Sequence, residues 1–172
     1  MESASSTGSS PTASRDNGGD VVTEVLFYHL DRLPLERVLP GLLEKCLERQ
    51  WHAVVQVGSD ERCEAIDAHL WTYRDDAFLP HGSVRDGTSG GVVHPVWLTT
   101  GDDNPNGARV RFLADGAEAS NLDDYQRVVV LFDGNDREAV ERARASWTSV
   151  KAAGHDATYW QQDEGGRWAK KA

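Results

Sequence analysis

Apolar positions fall into short continuous runs separated by stretches of helical period. The first run, TEVLFYHL at 23–30, is aromatic and β-branched and predicts a buried strand. Residues 35–50 place Leu35, Val38, Leu39, Leu42, Leu43, Cys46 and Leu47 on one stripe, the pattern of an amphipathic helix. Pro40 lies inside it, where a missing N–H and a crowded ring predict a kink or a break. WHAVVQV at 51–57 is a second strand. Ser59 then stands as an N-cap, with Arg62 where a capping box would place Glu. The helix it opens runs to about residue 73, with Cys63, Ile66 and Leu70 inward and Trp71 as a further inward candidate.

The middle is less regular. Residues 75–91 read as a loop containing Phe78, Leu79, Pro80 and His81. A strand begins after Pro95 within 92–99, residues 101–107 form a turn-rich insertion, and 109–113 is a short strand. RVVVLF at 127–132 is strongly apolar. A third helix follows, with Asn135 as its cap, Glu138 completing a capping box and Gly154 ending it after Lys151. Residues 157–161 are a last strand and 164–172 a polar end. Strands alternating with helices predict an α/β fold: a three-layer α/β/α arrangement with a mostly parallel central sheet, Rossmann-like in topology.

Residues 1–22 are rich in Ser, Thr and Gly, hold no aromatic residue, and are expected to be a disordered tail ahead of a single domain at 23–172. Net charge is −10. Such a domain is a poor general binder of nucleic acid, because backbone phosphates repel it, so an anionic partner must be met by a local basic patch. The two cysteines, Cys46 and Cys63, sit in helical patterns and read as reduced core side chains. No paired Cys or His spacing supplies a zinc site, so no metal is expected. There is no apolar run of membrane-spanning length and no basic-then-apolar leader; the cytoplasm is the expected compartment.

An α/β layout invites a nucleotide-binding enzyme, but the phosphate signatures are missing. Gly58 follows the second strand alone. Gly87-Thr88-Ser89-Gly90-Gly91 has no following Lys and precedes a strand. No G-x-S-x-G elbow occurs, and His29, His52, His69, His81, His94 and His155 are scattered singly. Neither catalysis nor a cofactor is expected.

Six tryptophans are many for this length, and Trp is enriched at contact hot spots. On the third helix Val140, Ala143, Trp147 and Val150 form the core stripe. Arg144, Trp147, Thr148 and Lys151 fall at i, i+3, i+4 and i+7, a cationic and aromatic edge in an acidic protein. On spacing alone a solvated face is the commoner reading of such an edge, and a dock for an acidic peptide is the other.

Taken in order, these pieces resemble the chi subunit of bacterial DNA polymerase III over residues 23–161. The carrying stretches are TEVLFYHL, IDAHLW at 66–71, AFLPHG at 77–82, WTSVKAAG at 147–154 and Thr158-Tyr159-Trp160. The resemblance implies a non-catalytic accessory subunit. Such a subunit binds the acidic, Pro-Phe-ending C-terminal tail of single-stranded-DNA-binding protein and pairs with a psi subunit that tethers it to the clamp loader. It implies that Arg144 and Trp147 hold the tail. Thr148 stands where relatives often carry Lys, and Lys151 is the substitute charge. Trp71 and Phe78 match family aromatics near the same region, as either pocket wall or core, which gives Trp71, Phe78, Pro80 and His81 as a candidate pocket wall. No direct contact with nucleic acid is expected. The alternatives are a nucleotide-binding enzyme and an unrelated peptide-binding adaptor.

Overall fold

The apolar runs are strands buried on both sides. The computed structural model describes residues 22–72, 80–83, 94–119 and 121–172. Among these, the strands are β1 (Glu24–Leu30), β2 (Ala53–Gln56), β3 (His81–Ser83), β4 (Val96–Thr99), β5 (Val110–Ala114), β6 (Arg127–Asp133), β7 (Asp156–Gln162) and β8 (Trp168–Lys170). The helices are α1 (Leu35–Glu48), α2 (Asp60–Thr72) and α3 (Arg137–Ala152). The strands form one sheet in the order β3-β4-β2-β5-β6-β1-β7-β8. Every pairing is parallel except β7 with β8. The expected α/β fold is present.

Alternation along the strands sorts the core into two layers. Leu30, Val55, Phe112, Val129 and Leu131 pack with α1 and α2. Their neighbours Val25, Phe27, Leu113, Val128 and Phe132 pack with α3 on the other face. The chain leaves β1 towards β2 in one direction and leaves β6 towards β7 in the other. With helices on opposite faces, two crossovers of one hand produce this arrangement.

Three expectations need correction. Residues 164–172 are no polar end: they turn back and add β8 antiparallel to β7. His81–Ser83, read as loop, is the edge strand β3, buried although only three residues long. Pro40 does not end α1, which runs from Leu35 to Glu48. A proline at 40 leaves the Glu36 carbonyl without its intrahelical donor. His69 of α2 supplies one, its Nε2 donating to that carbonyl at 2.7 Å. Residues 1–21, 73–79 and 84–93, and with them Phe78 and the Gly-rich 87–91, lie outside the described residues.

Removing the His69 donor should therefore leave a part-buried carbonyl unsatisfied. His69→Ala is expected to lower stability by about 1–3 kcal/mol in urea unfolding. In a Pro40→Ala background, where residue 40 regains its own N–H, the same change should cost clearly less.

Both cysteines are free and buried. Burial pushes the Cys46 thiol from 9.0 up to about 11, against the partial opposition of Arg127 and Arg49. Its folded value thus lies above its unfolded one. The stability tied to this thiol is complete below pH 9 and is lost as pH rises from 9 towards 11. Cys46→Ala should remove that alkaline component from the pH dependence of the unfolding midpoint.

Candidate functional site

The third helix is held at both ends by its own sequence. Its cap is Asp136, one residue later than expected, with the Asp136 carboxylate accepting from the N–H groups of Glu138 and Ala139. Asn135 instead spans to the β1 loop, its Nδ2 donating to the Asp31 carbonyl at 3.2 Å. The shift leaves Glu138 too near for a capping box. At the other end Gly154, at φ 90°, turns the chain while the His155 N–H donates to the Val150 carbonyl at 3.2 Å. That is a Schellman ending, and glycine suits its left-handed position.

Between these ends Ala139, Ala143 and Val150 are buried, so the helix rolls slightly from the expected stripe and leaves Val140 half-buried. Arg144, Trp147, Thr148 and Lys151 do share one edge, on the side of β1 and β7. Trp147 is half-buried there, edge-on to Phe27 at 5.5 Å and to Tyr159 at 6.2 Å. Lys151 Nζ lies over the Trp147 ring, 5.2 Å from its centre. Arg144 is exposed and its guanidinium makes no hydrogen bond or ion pair with a described residue. The Thr148 hydroxyl is folded back on its own helix and donates to the Arg144 carbonyl at 3.2 Å. An edge with one free guanidinium, one ammonium and an aromatic ring can hold a carboxylate beside an apolar group.

Two residues at this edge were not read from the sequence. Tyr159 stands beneath Trp147, and its hydroxyl lies 2.5 Å from His29 Nδ1. Burial raises the Tyr159 hydroxyl above its ordinary value; Arg144 lowers it and Asp31 raises it further. Gly134 closes on the His29 ring so tightly that a Cβ there would overlap it. Counting alternate positions along β7 from Ala157 would have put Tyr159 under α3.

Trp71, Pro80 and His81 lie elsewhere. Trp71 is 52% exposed rather than inward, with its ring 4.4 Å from that of His81. His81 Nε2 is 2.9 Å from Asp67 Oδ1. Six strand spacings of ~4.8 Å separate β3 from β7, and α2 and α3 lie on opposite faces. Trp71, Pro80 and His81 thus stand apart from the α3 edge.

A cleft of about 1340 Å³ runs along the other edge of α3, past Arg142, Ser146 and Ser149, and reaches the crevice where β1 and β6 diverge. In α/β sheets this crevice is the usual ligand position. Here it is lined by Asp31, Asp133 and Asp136. Carboxylates also occupy the first turn of all three helices: Glu36, Asp60 with Glu61, and Glu138. A phosphate arriving at these helix ends meets negative charge where a nucleotide site would offer free N–H groups.

The sequence profile of the family described as "DNA polymerase III chi subunit, HolC" matches residues 22–158. The chain belongs to this family. A protein named "Probable DNA polymerase III subunit chi", from Rickettsia prowazekii (strain Madrid E), is 26% identical over 113 residues, covering 62% of this chain and 67% of that one. The family makes this chain an accessory subunit of a replicative polymerase. The match takes in α3 and the start of β7, whereas β8 lies beyond it.

The acidic crevice predicts that ATP, GTP and NAD do not bind saturably at micromolar concentration, which would need about 8 kcal/mol. Isothermal titration at low salt tests this; a micromolar isotherm would mean that the crevice accepts phosphate after all.

Proposed function

We propose that this chi-family protein is a non-catalytic adaptor. It holds the acidic, Pro-Phe-ending tail of single-stranded-DNA-binding protein on the α3 edge and links it to the clamp loader during replication. The observation that carries this reading is the unpartnered Arg144 guanidinium beside the half-buried Trp147 on an exposed helix edge. A tail of this kind brings an α-carboxylate, Asp side chains and a Phe ring. The planar fork of Arg144 matches a carboxylate in two-point contact. Trp147, backed by Phe27 and Tyr159, gives the Phe ring an aromatic wall. Lys151 adds charge one turn on, and Thr148, with its hydroxyl already committed, adds none.

An adaptor also needs a second surface clear of the first. The exposed Trp71 over His81, at the far end of the sheet and on its other face, supplies an apolar anchor for a psi subunit or the clamp loader.

The tail site is tested by fluorescence anisotropy with a labelled tail peptide from the same organism's single-stranded-DNA-binding protein. Arg144→Ala should weaken binding by about 1–3 kcal/mol, as for a charge-assisted hydrogen bond, with the unfolding midpoint unchanged. Lys151→Ala should cost less and mainly flatten the salt dependence. Thr148→Lys should tighten binding by up to ~1 kcal/mol, as for an exposed ion pair. Parent-like affinity in a folded Arg144→Ala protein at low salt would place the tail elsewhere.

A further inference from the structure

The tail site leaves the β7–β8 edge without a role. β8 lies beyond the family-matched residues and brings Trp168 and Lys170. Strand register sets Tyr28, Trp160 and Lys170 side by side across β1, β7 and β8. The Trp160 ring stacks on Tyr28 at 6.3 Å between centres, tilted by 23°, and Trp168 meets the same Tyr28 edge-on at 4.7 Å. All three rings are half-buried, on the sheet face that α1 and α2 cover elsewhere. Beside α1 a shallow groove of about 170 Å³ opens against Trp168.

Cations rim this groove. Arg37 and Lys45, two turns apart on α1, line it, and Lys170 stands opposite Trp160. All three are exposed, and none forms an ion pair with a described residue. Gly41, between Arg37 and Lys45, leaves the floor open: nothing lies within 4 Å of where its Cβ would be. Further along, Arg49 and Arg127 both lie over the Trp51 ring, at 5.1 and 5.3 Å. Glu24, the acid on that end of β1, is taken up by Arg127 at 2.7 Å. Of the acids in the β7–β8 turn, the Asp163 carboxylate is occupied by the N–H groups of Gly165 and Arg167.

We propose that this face, Tyr28, Trp160 and Trp168 rimmed by Arg37, Lys45 and Lys170, is a stacking surface for single-stranded nucleic acid. Flat rings with free area and unpaired cations beside them match a strand of unpaired bases on a phosphate backbone. An acidic peptide without aromatic residues would satisfy the cations but offer the rings no planar partner. The chain's net charge of −10 opposes general attraction to phosphate, so contact depends on the few cations at this face and fades quickly with salt. The surface lies across the sheet from α3, so a strand here leaves the tail site free. It departs from the expectation that an acidic domain reads DNA only through a partner.

The test is anisotropy of the full chain with fluorescein-labelled oligo(dT) and, separately, labelled poly-Asp, each over a salt series. Oligo(dT) should bind saturably at low salt. Three phosphate contacts give a slope of log K against log salt near about −2. The double reversal Lys45→Glu, Lys170→Glu should abolish this binding with the circular dichroism and unfolding midpoint unchanged. Trp168→Ala should lower the affinity by about tenfold, as for loss of one stacked base. No binding to oligo(dT) at low salt overturns the proposal. So does binding that survives the double reversal, or poly-Asp binding as tightly as oligo(dT) and lost in the same variant. The oligo(dT) result stands whether or not the tail peptide binds, and the double reversal should hold that peptide as the parent does.

Discussion

One buried guanidinium organises the centre of the sheet. Arg111 points from β5 to the α3 side and is 1% exposed. Its five N–H groups all have acceptors. Nε and Nη2 donate to Gln56 Oε1 at 3.0 and 2.6 Å, and Nη1 donates to the Asp103 carbonyl at 3.1 Å and the Tyr125 hydroxyl at 2.9 Å. Nη2 also donates to the Gly101 carbonyl. A buried cation left short of these partners costs several kcal/mol, so β2, β5, the 101–107 loop and the turn before β6 must be in place together. The loop is fixed in turn. The Asp103 carboxylate accepts from Trp97 Nε1 at 2.8 Å and from the Thr99 hydroxyl, and Asn106 Nδ2 donates to the carbonyls of His94 and Ala53 at 2.8 and 3.1 Å. Over β2 and β4 this loop does the work of a helix. Val54, Trp97 and Ala108 form a small core beneath it.

That centre is what sequence periodicity does not reveal. The strands that come from continuous apolar runs, β1, β2 and β6, were legible to within a few residues, as were the helices with a clear stripe. β5 was visible only weakly, because Arg111 interrupts its run, and polar residues in a strand ordinarily signal a solvated face. The 101–107 segment looked like an insertion because its Gly, Asp and Asn content is that of a turn. Its role depends on three long-range hydrogen-bond sets that no local pattern encodes. β3 and β8 were missed for a related reason. Three residues carry too little periodicity to register, and both strands owe their existence to a neighbour already in the sheet.

The candidate site was legible in a different degree. Helical spacing alone placed Arg144, Trp147, Thr148 and Lys151 on one edge, because the geometry of a capped helix is fixed by its own sequence. What lies beneath the edge was not legible. Tyr159 meets Trp147 from β7 and is itself met by His29 of β1, 130 residues away, and that meeting depends on β1 and β7 being neighbours. Strand order likewise sets Trp71 and His81 apart from the α3 edge, which no local pattern shows. Residues that share an aromatic character need not share a side of the sheet, and only the crossover directions decide that.

Strand order also explains how a chain this acidic can present selective surfaces for anions. Carboxylates gather at the carboxyl ends of the strands and the first turns of the helices, where a phosphate would otherwise be welcome. At those ends Arg62 is held between Glu36 and Asp115, whereas Arg144 and Lys151 on the α3 edge and Arg37, Lys45 and Lys170 beside α1 form no ion pair with a described residue. Over distances beyond about 8 Å, physiological salt screens the acidic ends from these patches, so each patch is governed by its own few charges. A partner must therefore bring its negative charge into contact, with an aromatic group or a base to seat beside it, before it gains anything. General attraction to nucleic acid is suppressed while close, shape-dependent recognition is retained. The parallel sheet between the two faces holds the two cationic, aromatic surfaces apart.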